Sequence, residues 1–131
     1  MPHVNWLAVV AAALSSFVLG GLWYSALFSK AWQAAAGVSD EQMKSGAKAL
    51  IFGGAFVLSL IQAAVFAMFL GDKATLAFGA AAGFGAGLCW VAAGLGMTYL
   101  FEHRSAKLFA INGGYATLQF TLIGAILGAW R

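Results

Sequence analysis

75-TLAFGAAAGFGAGLCWVAAGLGMTYLF-101 passes from Thr75 to Phe101 without a charged residue. A transmembrane strand would show alternation over about 10 residues, and this segment does not alternate. It is longer than the ~20 residues with which an α-helix crosses the hydrocarbon core of a bilayer. It therefore reads as a membrane-spanning helix. Working outward, three further apolar runs of similar length appear: Trp6 to Phe28, Ala49 to Leu70 and Leu108 to Trp130.

Composition points the same way. The chain has 131 residues, 63% of them hydrophobic and 8% charged, with a mean hydropathy of +0.89. An ordinary soluble domain is about a quarter charged. The expectation is an all-α integral membrane protein forming a single domain over residues 1–131, with helices at about 5–28, 48–70, 75–101 and 108–130. The start, MPHVNWLAVVAAALSSF, lacks the basic n-region of a signal peptide, and its apolar run continues past Ser15 and Ser16 to Phe28, which favours a retained first helix. The lone Cys89 has no partner for an internal disulfide and reads as a small buried packing residue.

The connections are short, so consecutive helices should be antiparallel neighbours in an up-down-up-down bundle. Only the first connection is long enough for structure of its own. In 37-GVSDEQMKSGAKAL-50, Ser39 and Gln42 have the spacing of a capping box and predict a short interfacial helix, whereas 71-GDKA-74 is a tight turn. Lys30, Lys44, Lys48, Arg104 and Lys107 fall in the first and third connections, against only Lys73 and Arg131 on the other side. The positive-inside rule then puts those two connections in the cytoplasm and both termini outside. The net charge of +3 reflects this basic face, which suits anionic lipid headgroups; no basic patch is large enough for nucleic acid.

Glycine spacing predicts how the helices pack. Gly79, Gly83 and Gly87 recur every four residues, as do Gly124 and Gly128, and Ser16 with Gly20. Such small-residue rows let helix backbones approach closely in lipid, where apolar burial no longer drives association. They serve either the bundle's own seams or a homo-oligomer contact, for which Gly79, Gly83 and Gly87 are the candidate seam. Trp6 and Trp130 sit at one set of ends, and Trp23, Tyr24, Trp32 and Tyr99 at the other, as interfacial aromatics do. Trp90 falls near the middle of its helix, where Gln62 or Gln119 is the expected partner for its indole N–H. The two glutamines read first as an interhelical hydrogen bond and second as part of a solute pathway with Ser15 and Ser16.

Several function classes lack their residues. No ionisable side chain occupies the centre of any run, which argues against proton-coupled antiport. There is no HExxH, GxSxG, CxxC or phosphate loop, so no enzyme, cofactor or metal site is expected, and His3 and His103 fall on opposite sides of the expected topology. A weak internal repeat aligns 21-GLWY-24 with 96-GMTY-99 and predicts that Tyr24 and Tyr99 lie at equal depth.

The stretches 20-GGLWYSALFSKAW-32 and 102-EHRSAKLFAINGGYATLQFTLIGAILGAW-130, with the start MPHVNWLAVVAA, resemble the small bacterial membrane-protein family catalogued as domain of unknown function 1761. The shared features are WYS followed by Lys and Trp, an acidic-x-Arg-Ser connection, and INGGY opening the last helix. The resemblance covers the whole chain and implies a compact four-helix protein of the bacterial inner membrane, with no established activity.

These motifs, on the expected topology, gather at the cytoplasmic end. Trp23, Tyr24, Ser25, Lys30 and Trp32 close the first helix, while Tyr99, Glu102, His103, Arg104, Lys107, Asn112 and Tyr115 flank the third connection. One reading is structural: Glu102 pairs with Arg104 or Lys30, Asn112 satisfies helix-end carbonyls, and the tyrosines fill a crevice. In another, Arg104, Lys107 and Lys30 hold a lipid phosphate or small anion while Trp23 and Tyr24 pack its apolar part. A third is a small channel or transporter lined by Ser15, Ser16, Gln62 and Gln119. An acid–base pair of Glu102 and His103 is the remaining, weakest alternative.

Overall fold

The computed structural model describes residues 4–39, 41, 48–71 and 75–130, and in these it is helical throughout with no strand. Helix α1 spans Trp6–Gly21 and runs into a π-helical turn, Leu22–Leu27. A two-turn helix α2 follows at Ser29–Ala36, then α3 at Lys48–Leu70. Helix α4, Leu76–Ala86, continues through a second π turn, Gly87–Ala92, into α5, Ala93–Phe101, and α6 closes the chain at Ala106–Ala129. Four helical stretches, Trp6–Ser25, Leu50–Leu70, Leu76–Phe101 and Ala106–Ala129, are long and apolar enough to cross a membrane.

Polar side chains set three of the starts. Asn5 Oδ1 accepts from Ala8 N at 3.2 Å, Thr75 Oγ1 from Phe78 N at 3.2 Å and Ser105 Oγ from Leu108 N at 3.1 Å, each answering an orphan N–H of a first turn. The Ser105 cap explains why α6 begins two residues before the apolar run at Leu108. At the end of α5, His103 takes the left-handed conformation with φ 59°, and its N–H and that of Arg104 donate to Leu100 O and Tyr99 O. That double return is a Schellman motif, built on histidine where glycine is usual.

Two local features depart from expectation. The first connection opens with α2, ahead of the short helix expected from Ser39 and Gln42, most of which lies outside the described residues. Both π turns lie where a glycine-leucine pair begins, 21-GLWYSA-26 and 87-GLCWVA-92. His3, Lys44, Lys73 and Arg131 also lie outside the described residues.

Helix α6 is the hub. It touches α1, α2, α3, α4, α5 and the second π turn, whereas α3 leans mainly on α1. Along the α4–α6 seam Gly79 meets Gly124 and Gly128, Gly83 meets Phe120, and Gly87 meets Ala116, so the two helices are antiparallel. A Cβ at Gly79, Gly83 or Gly124 would collide with a backbone carbonyl across the seam, and one at Gly87 would lie 2.7 Å from Ala116 O. The candidate oligomer seam is therefore filled by the chain's own last helix. A contact between copies would have to use another face.

The core is made of small side chains and a few large ones: Ala8, Val9, Ala12, Ala63, Ala67 and Ala86 with Phe66, Phe120, Ile123 and Leu127. Large apolar groups point outward instead, including Leu7, Leu50, Phe69, Leu100 and Phe101. Cys89, expected to be buried, is exposed on this outer surface.

Candidate functional site

The two motifs singled out in the sequence interlock at one end of the bundle. Trp23 Nε1 donates to Ile111 O at 2.8 Å, and its ring lies over Gly114, where a Cβ would come within 3.1 Å of Trp23 Cζ2. Tyr24 Oη donates to Asn112 Oδ1 at 2.6 Å. Gly113 faces the other way, toward Ala92 and Phe109, and Tyr115 Oη donates to Ser16 O at 2.9 Å. Within INGGY, Ile111 and Gly114 thus both meet Trp23, Asn112 meets Tyr24 and Tyr115 meets Ser16, while Gly113 admits Ala92 on the other side. The π turn makes this possible on the α1 side, because its extra residue per turn lets consecutive Trp23 and Tyr24 both reach α6.

Tyr99 completes the cluster from α5. Asn112 Nδ2 donates to Tyr99 Oη at 2.7 Å, so one amide joins two tyrosines from separate helices. This fits the equal depth expected of Tyr24 and Tyr99. It also corrects the role expected of Asn112, whose side chain binds phenols and not helix-end carbonyls. Trp32 of α2 packs edge-on against Tyr24 with ring centroids 5.8 Å apart, and Tyr115 tilts against Tyr24 at 5.3 Å. Together Tyr24, Trp32, Tyr99, Asn112 and Tyr115 line a cavity of about 480 Å³, with Val91, Leu95, Ala116 and Gln119 as its remaining walls.

The charged candidates stand apart from this cavity. Arg104 Nε pairs with Glu102 Oε1 at 3.2 Å, both about half exposed, and Arg104 Nη1 donates to Ala36 O at the end of α2 at 3.1 Å. Lys30 lines a separate surface recess with Gln33, Ala34, Val38 and Ser39, and Lys107 is exposed. The three cations do not line the tyrosine cavity. His103 is an exposed turn residue, and Ser25 Oγ bonds back to Gly21 O.

Deeper in the bundle, Gln119 Nε2 donates to Gln62 Oε1 at 2.8 Å. The glutamines therefore satisfy each other. Trp90, expected to bond one of them, is 66% exposed and meets Phe69 edge-on at 6.2 Å. Ser15 and Ser16 hydroxyls both bond back to Ala12 O within α1, so neither is aimed into a polar path. Among the described residues no group of three His, Cys, Asp or Glu side chains is placed to hold a metal ion.

Sequence reasoning found every polar member of the cavity but missed its apolar walls, Val91, Leu95 and Ala116, which carry no signal beyond hydropathy. The interlocking WY and INGGY elements fall inside a match between residues 7–128 and the family model described as protein of unknown function, DUF1761. No curated protein and no solved structure matches the chain. Spanning nearly its whole length, the match shows that this chain belongs to the DUF1761 family.

Proposed function

We propose that this chain is a multi-pass protein of the bacterial inner membrane, an up-down-up-down four-helix bundle that binds a membrane amphiphile in the crevice between Tyr24, Tyr99, Asn112 and Tyr115. The observation that carries the reading is the cavity itself: about 480 Å³, lined by an uncharged cluster of phenols and amides that grades into apolar walls. Sites of this kind bind through apolar contact and use a few placed polar groups for orientation.

The membrane assignment draws on the inverted distribution of side chains. Only 17% of the second long helix and 44% of the last are buried within the bundle, and the outward residues are the large apolar ones. A surface of that kind is solvated by lipid. The topology has two supports: Arg104 bonded to Ala36 O brings the first and third connections to one end, and Asn5 Nδ2 donates to Trp130 O at the other. By the positive-inside rule the Arg104 end is cytoplasmic and both termini are outside.

The binder is read as non-enzymatic, because Glu102 is engaged by Arg104 and His103 is exposed in a turn geometry. An anion at the cationic residues has less support than a ligand in the crevice, since Lys30 and Arg104 line different recesses. The channel or transporter reading is weaker still: Ser15, Ser16, Gln62 and Gln119 spend their hydrogen bonds on one another or on backbone.

Native mass spectrometry of the chain extracted in mild detergent tests the proposal. Wild type should retain a membrane-derived adduct that Asn112→Leu loses. Identical adducts in both would overturn it.

A further inference from the structure

A second cavity, of about 330 Å³, adjoins the tyrosine crevice. Ile61, Gln62, Val65, Phe66 and Phe69 form one side, Ala86 and Trp90 the other, and Phe120 the floor. Val91 lines both cavities, and Gln119 of the first is bonded to Gln62 of the second. The two therefore lie along one face of α6, in the gap left because α3 leans on α1 and not on α4. From Tyr99 to Trp90 the groove covers about 14 Å of helix rise.

The head end has spare hydrogen-bond donors, although every polar side-chain atom of Tyr24, Tyr99 and Asn112 already makes one bond. In the assigned orientation of Asn112, its amide donates one proton to Tyr99 and accepts from Tyr24, leaving one amide N–H and the Tyr99 O–H without a protein acceptor among the described residues. Flipping the amide exchanges the roles of the tyrosines and still leaves one amide N–H and one phenolic O–H spare. The site thus offers two donors to a ligand acceptor, beside the aromatic wall of Tyr24, Trp32 and Tyr115. No charged side chain lines either cavity.

Resting on the amphiphile-binding reading above, we infer that the ligand is a membrane quinone. A ring carbonyl accepts from the Asn112 amide and a tyrosine hydroxyl, the ring lies against Trp32 and Tyr115, and the isoprenoid chain follows the apolar groove past Gln62–Gln119 toward Phe69 and Trp90. A phospholipid fits worse on two counts. Its phosphate would meet no cation in the crevice, and its two chains exceed a groove one helix face wide. A polyprenol would supply the chain but not the paired acceptor on a flat ring.

Decyl-substituted dimethoxy-methyl-benzoquinone, added to the full chain in phosphatidylcholine nanodiscs, is the probe, with quenching of tryptophan fluorescence as readout. Saturable quenching is expected, its amplitude reduced in Trp32→Phe. Tyr24→Phe or Tyr99→Phe, whichever removes the spare hydroxyl, should weaken binding about fivefold, the worth of one hydrogen bond, and Asn112→Leu further, while Leu7→Ala on the outer face leaves it unchanged. The two tyrosine variants keep the test open should Asn112→Leu not fold. Quenching that rises linearly without saturation, wild-type affinity in both Tyr24→Phe and Tyr99→Phe, or displacement by phosphatidylglycerol or a polyprenol as effective as by a second quinone would each overturn the inference. A phospholipid adduct lost in Asn112→Leu, together with no saturable quinone binding, would remove the quinone and leave the crevice; loss of both results would remove the crevice too.

Discussion

Tyr24 and Asn112 lie far apart in the sequence, yet the phenol of one donates to the amide oxygen of the other at 2.6 Å, joining the π turn that ends the first long helix to the first turns of the last. The same amide reaches Tyr99 at 2.7 Å, so three long helical stretches are tied at one point near the end of the bundle. A single side chain there acts on both the packing and the shape of the crevice.

Replacing Asn112 with leucine should therefore lower stability by about 1–3 kcal/mol, the worth of two hydrogen bonds. Tyr24→Phe and Tyr99→Phe should each lose about 1 kcal/mol. Equilibrium unfolding in mixed micelles is the measurement, and a leucine variant as stable as wild type would show that the amide holds nothing together.

The glycine seam predicts a contrast between two nearby positions. Gly83→Ala forces a Cβ against Phe120 O and should cost about 1–3 kcal/mol, with α4 and α6 pushed apart. Gly85 has nothing within 4 Å of its would-be Cβ, so Gly85→Ala should be neutral or gain up to about 1 kcal/mol from helix propensity. Equal loss at both positions would place the seam elsewhere.

Gln62 and Gln119 form an interhelical pair at 2.8 Å in the middle of the bundle. A double-mutant cycle with leucine at each position should give a coupling energy of about 0.6–1.7 kcal/mol, the range for such bonds in membranes. Additive losses would mean that the two amides are satisfied separately.

His103 is held in the left-handed region, which suits glycine better than any residue with a Cβ. His103→Gly should leave the protein as stable as wild type or raise stability by up to about 1 kcal/mol, while β-branched His103→Val should lose about 1–2 kcal/mol. The midpoint of thermal unfolding reads both. A glycine variant that folds normally but loses ligand retention would give His103 a binding role that its exposed turn position does not suggest.

Much of the architecture was legible because long uncharged apolar helices advertise themselves. Uncharged runs of span length predicted four long helices, and the structure has them. Boundaries shifted only where a polar side chain caps a helix, as Ser105 does, or where a short helix such as α2 has no long apolar run to announce it. The polar cluster was also legible, since Trp23, Tyr24, Tyr99, Asn112 and Tyr115 are conspicuous in so apolar a chain. Which of them touch was not. Asn112 offers two donors and an acceptor, and only the positions of Tyr24 and Tyr99 in space decide what they meet.

The same division holds for the glycines and for Trp90. By itself the sequence determined that helix backbones approach closely along Gly79, Gly83 and Gly87, because only small residues permit that distance. Whether the partner was another copy or the chain's own last helix depended on how α4 is rotated about its axis, and no hydrophobic period records that rotation when every face is apolar. Tertiary packing turned the glycine row toward α6 and left Trp90 and Cys89 outside. It also opened the groove beside α3, where side-chain types alone mark no boundary between the outer surface and the cavity.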